Sequence, residues 1–251
     1  MIMKTSTKIV IATILLLATG LVVYDLQLKA EFRKGDYIKP LYGYTSFDYR
    51  HFNRVELRST SAIDVLIQQG AFKVMAHPAA ASFIVIKEED STLIVEAHFP
   101  DHYMGMGSSP VLYISCPTLR ELRADSWYLV GRDSVVDRII GDGWYKTSTI
   151  EGFTEDSLAI RAEHAANLAL VGNHLRKLAA ALGEEAGLNR PNLTIDADNH
   201  IDSTNLNILG QSRLWIKGTD IRQLTYHLAD SASITVNGVS TRYLNLHSLC
   251  N

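Results

Sequence analysis

The sequence predicts an all-β fold, a single-stranded parallel β-helix, preceded by an N-terminal transmembrane helix. Three observations carry that expectation. The run Ile9 to Tyr24 (IVIATILLLATGLVVY) contains no charged residue. From Phe52 onward, short β-branched segments bounded by Ser, Gly, Asp or Pro dominate the chain. In the second half, apolar-x-apolar pairs return at intervals of 8 to 15 residues, most often 10.

Lys4 and Lys8 precede the apolar run and Asp25 ends it, which is the pattern of an export segment. Ala18 and Gly20 supply small residues for a cut, but Leu21 to Tyr24 carry the apolar run past that point. Residues 1–30 therefore read as a cytoplasmic tip and an uncleaved signal anchor, with lysine snorkelling at one end. The alternative is a cleaved signal. Basic residues ahead of the span put the N-terminus in the cytoplasm and the rest of the chain across the membrane. Residues 31–51, polar with interspersed tyrosines, read as a stalk, and 52–251 as the β-helix. Strand signals follow as VEL (55–57), IDVLI (63–67), FKVMA (72–76), FIVI (83–86) and TLIVEA (92–97). Two irregular stretches with glycine and proline, 98–110 and 131–153, read as loops.

The recurring pairs are Leu158/Ile160, Leu168/Leu170, Leu178/Ala180, Leu193/Ile195, Leu206/Ile208, Leu214/Ile216, Leu224/Tyr226 and Ile234/Val236. A repeat near ten that doubles to about twenty is too short for a helical solenoid and fits a coil of parallel strands with apolar ladders inside. An antiparallel sandwich shows similar spacing. The scarcity of hairpin dipeptides favours the coil, because Asn237-Gly238 alone flanks a good strand and Asp142-Gly143 falls in a loop. The segment HLRKLAAALGEEAG (174–187) has a helical composition, with Leu175, Leu178 and Leu182 on one helical face. The phase of the surrounding repeat nevertheless assigns it to strand. Alternation turns Leu214 and Ile216 inward and Trp215 and Lys217 outward. Thr194, Trp215 and Thr235 then stack outside, as do Ala159 and Ala179, with Ala169 on the alternate strand. A flat, weakly solvated face on an exported protein is more often covered than bare. Ala159, Ala169, Ala179 and Trp215 are thus the candidate association face, for a partner or a second copy of this chain, the alternative being cover by the stalk or a loop of the same chain.

The chain has 251 residues, 47% of them hydrophobic, and a net charge of −3. No basic excess tracks a nucleic-acid backbone, so nucleic acid is excluded as a partner. Cys116 and Cys250 form neither a disulfide framework nor a zinc site. Nucleophile-elbow, zincin, phosphate-loop and dinucleotide signatures are missing, and no catalytic residue, metal or cofactor is expected. His98, Asp101, His102, Met104 and Met106 superficially suggest a soft metal site, but Pro100 prevents the helix that would align the histidines, and an irregular loop is the better reading. Asp196, Asp198 and Asp202 resemble a calcium loop. Ile201 stands where glycine is needed and Asn207 where the closing glutamate belongs, which leaves turn aspartates.

The export segment, the stalk, FNRVELRSTSAIDVLIQQG at the start of the domain and strand repeats ending in SASITVNGVS together resemble the head GIN domain family of Gram-negative bacteria. The resemblance spans roughly Phe52 to Leu244. Family members are described as candidate auto-transporter adhesins, and the likeness implies an exported parallel β-helix without established enzymatic activity. Together with the N-terminal segment, this gives an inner-membrane, single-pass protein with its C-terminal domain in the periplasm, or release into the periplasm if the signal is cleaved. Asp-Ser pairs at Ser91, Ser134, Ser157, Ser203 and Ser231 resemble a periplasmic O-glycosylation motif, although Asp and Ser are also ordinary turn residues. Two functional classes follow. The favoured one is a non-catalytic envelope protein, anchored through Ile9 to Tyr24, whose faces bind proteins or glycans. The alternative is a polysaccharide-active enzyme, which needs paired carboxylates in a groove and finds its acidic cluster at Asp196, Asp198 and Asp202.

Overall fold

The computed structural model describes residues 5–35, 41–101, 111–139, 146–185 and 187–238. It divides into two units, Met1–Gly43 and Tyr44–Asn251. The first is built on one helix, α1 (Thr5–Lys34). Between Ile9 and Tyr24 this helix is apolar on all sides, with Leu16 75% and Leu21 70% exposed, where a helix packed on a core would show a single apolar stripe. Thr13 and Thr19 donate their hydroxyls to the carbonyls of Ile9 and Leu15, so neither leaves an unmet donor in the apolar run. Gly35, at φ +66°, closes the last turn by donating its N–H to the Phe32 carbonyl. Residues Lys8–Lys34 are long and apolar enough to cross a membrane.

The second unit is mostly β. Its strands are β1 (Thr45–Phe47), β2 (Arg54–Leu57), β3 (Val65–Gln69), β4 (Lys73–Ala76), β5 (Ile84–Glu89), β6 (Thr92–Phe99), β7 (Leu112–Cys116), β8 (Glu121–Ala124), β9 (Trp127–Val130) and β10 (Asp133–Val136). They continue with β11 (Ser148–Glu151), β12 (Thr154–Ala162), β13 (Asn167–Val171), β14 (His174–Leu182), β15 (Asn192–Ile195), β16 (His200–Ile208), β17 (Arg213–Lys217), β18 (Asp220–Gln223), β19 (Tyr226–Leu228) and β20 (Ser233–Asn237). Two large sheets result. The nine-stranded sheet runs β1-β4-β7-β3-β11-β13-β15-β17-β20. The eleven-stranded sheet runs β10-β9-β6-β2-β8-β12-β14-β16-β18, with β5 beside β6 and β19 beside β16.

Both sheets are mixed, which corrects the uniformly parallel coil expected over 52–251. β1 pairs β4, β4 pairs β7, β5 pairs β6 and β9 pairs β10, all antiparallel. For the two hairpins, β5–β6 and β9–β10, the reason is local turn chemistry. Asp90 and Ser91 take φ of 47° and 64°, the two left-handed positions of a tight hairpin turn that twists in step with its strands. Gly131, at φ 60°, does the same between β9 and β10. Strands β10 and β11 also lie inside 131–153, which glycine and proline had marked as loop. From β11 onward every pairing in both sheets is parallel, and successive strands alternate between the sheets except that β18 and β19 both join the eleven-stranded one.

Inward rows form the core. In the nine-stranded sheet, Leu168, Leu193 and Leu214 align in one row and Ile67, Ile150, Leu170, Ile195 and Ile216 in the next, all buried. Ile160, Ala180 and Leu206 answer from the other sheet, as do Ala162, Leu182 and Ile208. Each fully buried Leu or Ile contributes about 1.5–3 kcal/mol. The last turn departs from expectation. Leu224 is only half-buried and Tyr226 is 37% exposed, because β19 pairs β16 alone.

His174–Leu182 is strand, paired on both edges by β12 and β16. Two ladders of backbone hydrogen bonds outweigh helix propensities of a few tenths of a kcal/mol per residue. The Leu175-x-x-Leu178 spacing is absorbed by two consecutive outward residues, Arg176 and Lys177. At the corner before β14, Asn173 is buried and accepts from the Phe153 N–H while donating to the Ile150 carbonyl, both at 2.9 Å. Its Nδ2 and its backbone N–H also reach Asn199 Oδ1, 26 residues on. Asn199 donates to the Leu170 and Asp196 carbonyls, and Thr219 caps the row by donating to Asp196 O at 2.7 Å. Stacked amides thus satisfy corner backbone groups that strand pairing cannot reach.

Candidate functional site

The outward face of the nine-stranded sheet carries a groove of about 490 Å³. Its floor follows one register row, in which Ala169 lies opposite Thr194 and Thr194 opposite Trp215. Trp215 is 42% exposed, while Thr194 is only 9% exposed beneath the Asn192 amide, whose Nδ2 lies 3.4 Å from its Oγ1. Two residues upstream, a second row brings Asn167, Asn192 and Arg213 together. Asn192 Nδ2 donates to Asn167 Oδ1 at 2.8 Å, and Asn167 Nδ2 donates in turn to Thr147 Oγ1 at 2.9 Å. At the other end, Lys217 Nζ sits 4.7 Å from the Trp215 ring centroid and 3.1 Å from Asp196 Oδ1. The ammonium is therefore fixed over the indole by a cation–π contact and an ion pair at once. Arg190 Nε donates to the neutral Gln211 Oε1 at 2.6 Å. The groove joins an aromatic platform to amides, hydroxyls and cations. Among the described residues it holds no paired nucleophile and base.

The four candidate association residues fall on two faces. Ala169 and Trp215 line the groove just described. Ala159 and Ala179 are opposite each other on the eleven-stranded sheet, half-buried, between Glu121 and Asn205. Of the Asp-Ser serines, Ser91, Ser134, Ser157 and Ser231 are exposed. Ser203 is half-buried, and its hydroxyl donates to the Arg176 carbonyl at 3.0 Å. Ser134 accepts a short hydrogen bond from the Trp127 indole N–H.

Two of the three turn aspartates are taken up by cations instead of pooling. Asp196 pairs with Lys217, and Asp202 with Arg222 at 3.1 Å. His98 is bonded to Glu96 at 3.2 Å, while His102, Met104 and Met106 lie outside the described residues. Asp125, Glu163 and His164 do converge, but Asp125 is already bonded to His164 at 2.5 Å. Arg58, Arg123 and Arg161 line the same groove as Asp125 and Glu163 and oppose a cation there. Cys116 is buried, and burial, helped by the Glu155 carboxylate, pushes its thiol up to about 12, which makes it inert. Cys250 lies outside the described residues.

Sequence reasoning missed Asn167, Arg190, Asn192 and Arg213. A signal for three of them exists in NLAL, NLTI and RLWI. The residue before each apolar pair is polar and outward, and aligning those three segments lays Asn167, Asn192 and Arg213 in one row.

No family model matches the chain, and no curated protein matches it in sequence. Among solved structures, it is similar to a candidate adhesin from Parabacteroides distasonis at 14% identity, covering 78% of this chain and 73% of that one, with a TM-score of 0.49. A candidate adhesin from Bacteroides fragilis is 13% identical over 77% of this chain and 96% of its own, TM-score 0.38. A candidate lipid-binding protein from Parabacteroides distasonis is 12% identical over 77% and 96%, TM-score 0.24. At these values the likeness assigns neither a family nor a ligand.

Proposed function

We propose that the chain is a non-catalytic envelope protein, anchored in the inner membrane by α1 with its β unit in the periplasm, that binds glycans across the nine-stranded sheet. In this reading the parallel half from β11 to β20 is a β-helix of head GIN type, with a linking segment between anchor and domain. One observation carries it. An exposed tryptophan lies in a shallow groove among amide and hydroxyl side chains, the combination that stacks on a sugar ring and bonds its hydroxyls. The alternation of strands between two sheets supports the β-helix, and the all-round apolar surface of α1 supports the anchor.

Affinity electrophoresis of the full-length protein in detergent, through gels containing single polysaccharides, tests the reading. Retardation by at least one glycan is expected, and Trp215→Ala should abolish it while leaving the β-sheet circular dichroism intact. Free migration through neutral and acidic glycans alike would overturn the proposal. The four exposed Asp-Ser serines are proposed glycan acceptors, and an intact mass without sugar additions on protein from its own host would remove them.

A further inference from the structure

We infer that the groove takes an acidic glycan, a polysaccharide bearing carboxylates, in preference to a neutral one; this rests on the glycan reading above. Three cations line the groove, Arg190, Arg213 and Lys217, against one carboxylate, Asp196. Asp196 is committed to Lys217. Arg190 is steadied by the neutral Gln211, so its charge is not cancelled. The Arg213 guanidinium is exposed and makes no ion pair among the described residues. The groove therefore keeps a local excess of positive charge on a chain whose net charge is −3. Such a contrast is expected where an anion is recognised.

The placement suits a ring with a carboxylate at its rim. Arg213, Trp215 and Lys217 occupy alternate positions of β17 and share its outward face, so the Cα of each basic residue stands about 6.6 Å along the strand from that of Trp215, and the Lys217 ammonium folds back to 4.7 Å from the ring centroid. A sugar stacked on Trp215 brings its substituents within reach of a guanidinium on one side. Arginine grips a carboxylate through two parallel N–H bonds, which adds orientation to charge. Asn192 and Asn167 lie in the same row as Arg213; their amide N–H groups are engaged within the row and by Thr147, so it is their side-chain oxygens that they offer to the hydroxyls of the neighbouring sugar.

The test compares three polymers against the full-length protein in detergent: polygalacturonate, neutral dextran and polyglutamate. Polygalacturonate should bind, weaken as salt rises from about 0.05 M to about 0.5 M, and lose about tenfold in affinity with Arg213→Gln or Arg190→Gln. Dextran should bind more weakly and be unaffected by either substitution. Dextran binding as tightly as polygalacturonate, or polygalacturonate binding indifferent to both arginine variants, would overturn the acidic preference and leave the glycan reading standing. Polyglutamate binding as well as polygalacturonate and surviving Trp215→Ala would reduce the groove to a charged patch and overturn both. No binding by either polysaccharide would likewise remove both.

Discussion

Asn173→Ala is the substitution whose effect can be worked from the structure most directly. Its side chain accepts from the Phe153 N–H and donates to Ile150 O and Asn199 Oδ1, all at 2.9 Å, and it is fully buried. Alanine removes three bonds and strands a buried N–H at Phe153, itself 0% exposed. An orphaned buried donor costs about 1–3 kcal/mol and each remaining lost bond about 1 kcal/mol. A loss of about 2–4 kcal/mol follows once partial relaxation is allowed, a large share of the ~5–15 kcal/mol available to a domain. Asn173→Asp keeps an acceptor for Phe153 but turns an oxygen against Ile150 O and Asn199 Oδ1, and should cost at least as much. Asn205→Ala, on the exposed outer face, should stay within about 0.5 kcal/mol of wild type. Urea unfolding of the full-length protein in detergent, followed by far-ultraviolet circular dichroism, gives all three values. An Asn173→Ala midpoint equal to that of Asn205→Ala would refute the argument that the corner amides hold the turns together.

Ile216→Asp places a charge in the inward row of β17 and should cost several kcal/mol, whereas Thr235→Asp on the outward row should be nearly silent; the reverse ranking in thermal melts would show the register to be off by one. In a Cys250→Ser background, Cys116 should resist thiol reagents at neutral pH until the protein unfolds, since a thiol raised to about 12 has almost no thiolate at pH 7; labelling of the native protein would contradict its burial. Full-length protein should stay with membranes through a high-pH wash, and a mature N-terminus at Leu21 would instead show cleavage. Replacing Ala159 and Ala179 together by glutamate should preserve the sheet signal and abolish self-association in sedimentation; a folded double variant that still self-associates would remove any binding role from that face.

The second half of the fold is legible because inward rows tolerate little besides apolar side chains. Leu168/Leu170, Leu193/Ile195 and Leu214/Ile216 write the core into the chain directly. The first half is less legible. Its hairpins turn on Asp90-Ser91 and on Gly131, which any loop might carry, and only their positive φ angles reveal the reversal. Asn173 and Asn199 look like ordinary turn residues until stacking places one above the other. The groove was half readable. Alternation alone exposes Trp215 and Ala169, but the polar row depends on register across strands, and Asn167 and Asn192 come together over a span of 25 residues that no local pattern announces.

The outward row of the nine-stranded sheet also behaves as a ruler. Neighbouring strands stand about 4.8 Å apart, a step close to the length of one sugar in a chain. A polysaccharide laid across the strands, as proposed, would meet Thr149, Ala169, Trp215 and Thr235 in turn, with the buried Thr194 screened beneath the Asn192 amide. Under that proposal, one more strand added to the parallel run of this sheet would add one more graduation without disturbing the others, so the number of sugars read and the chemistry read at each could vary separately.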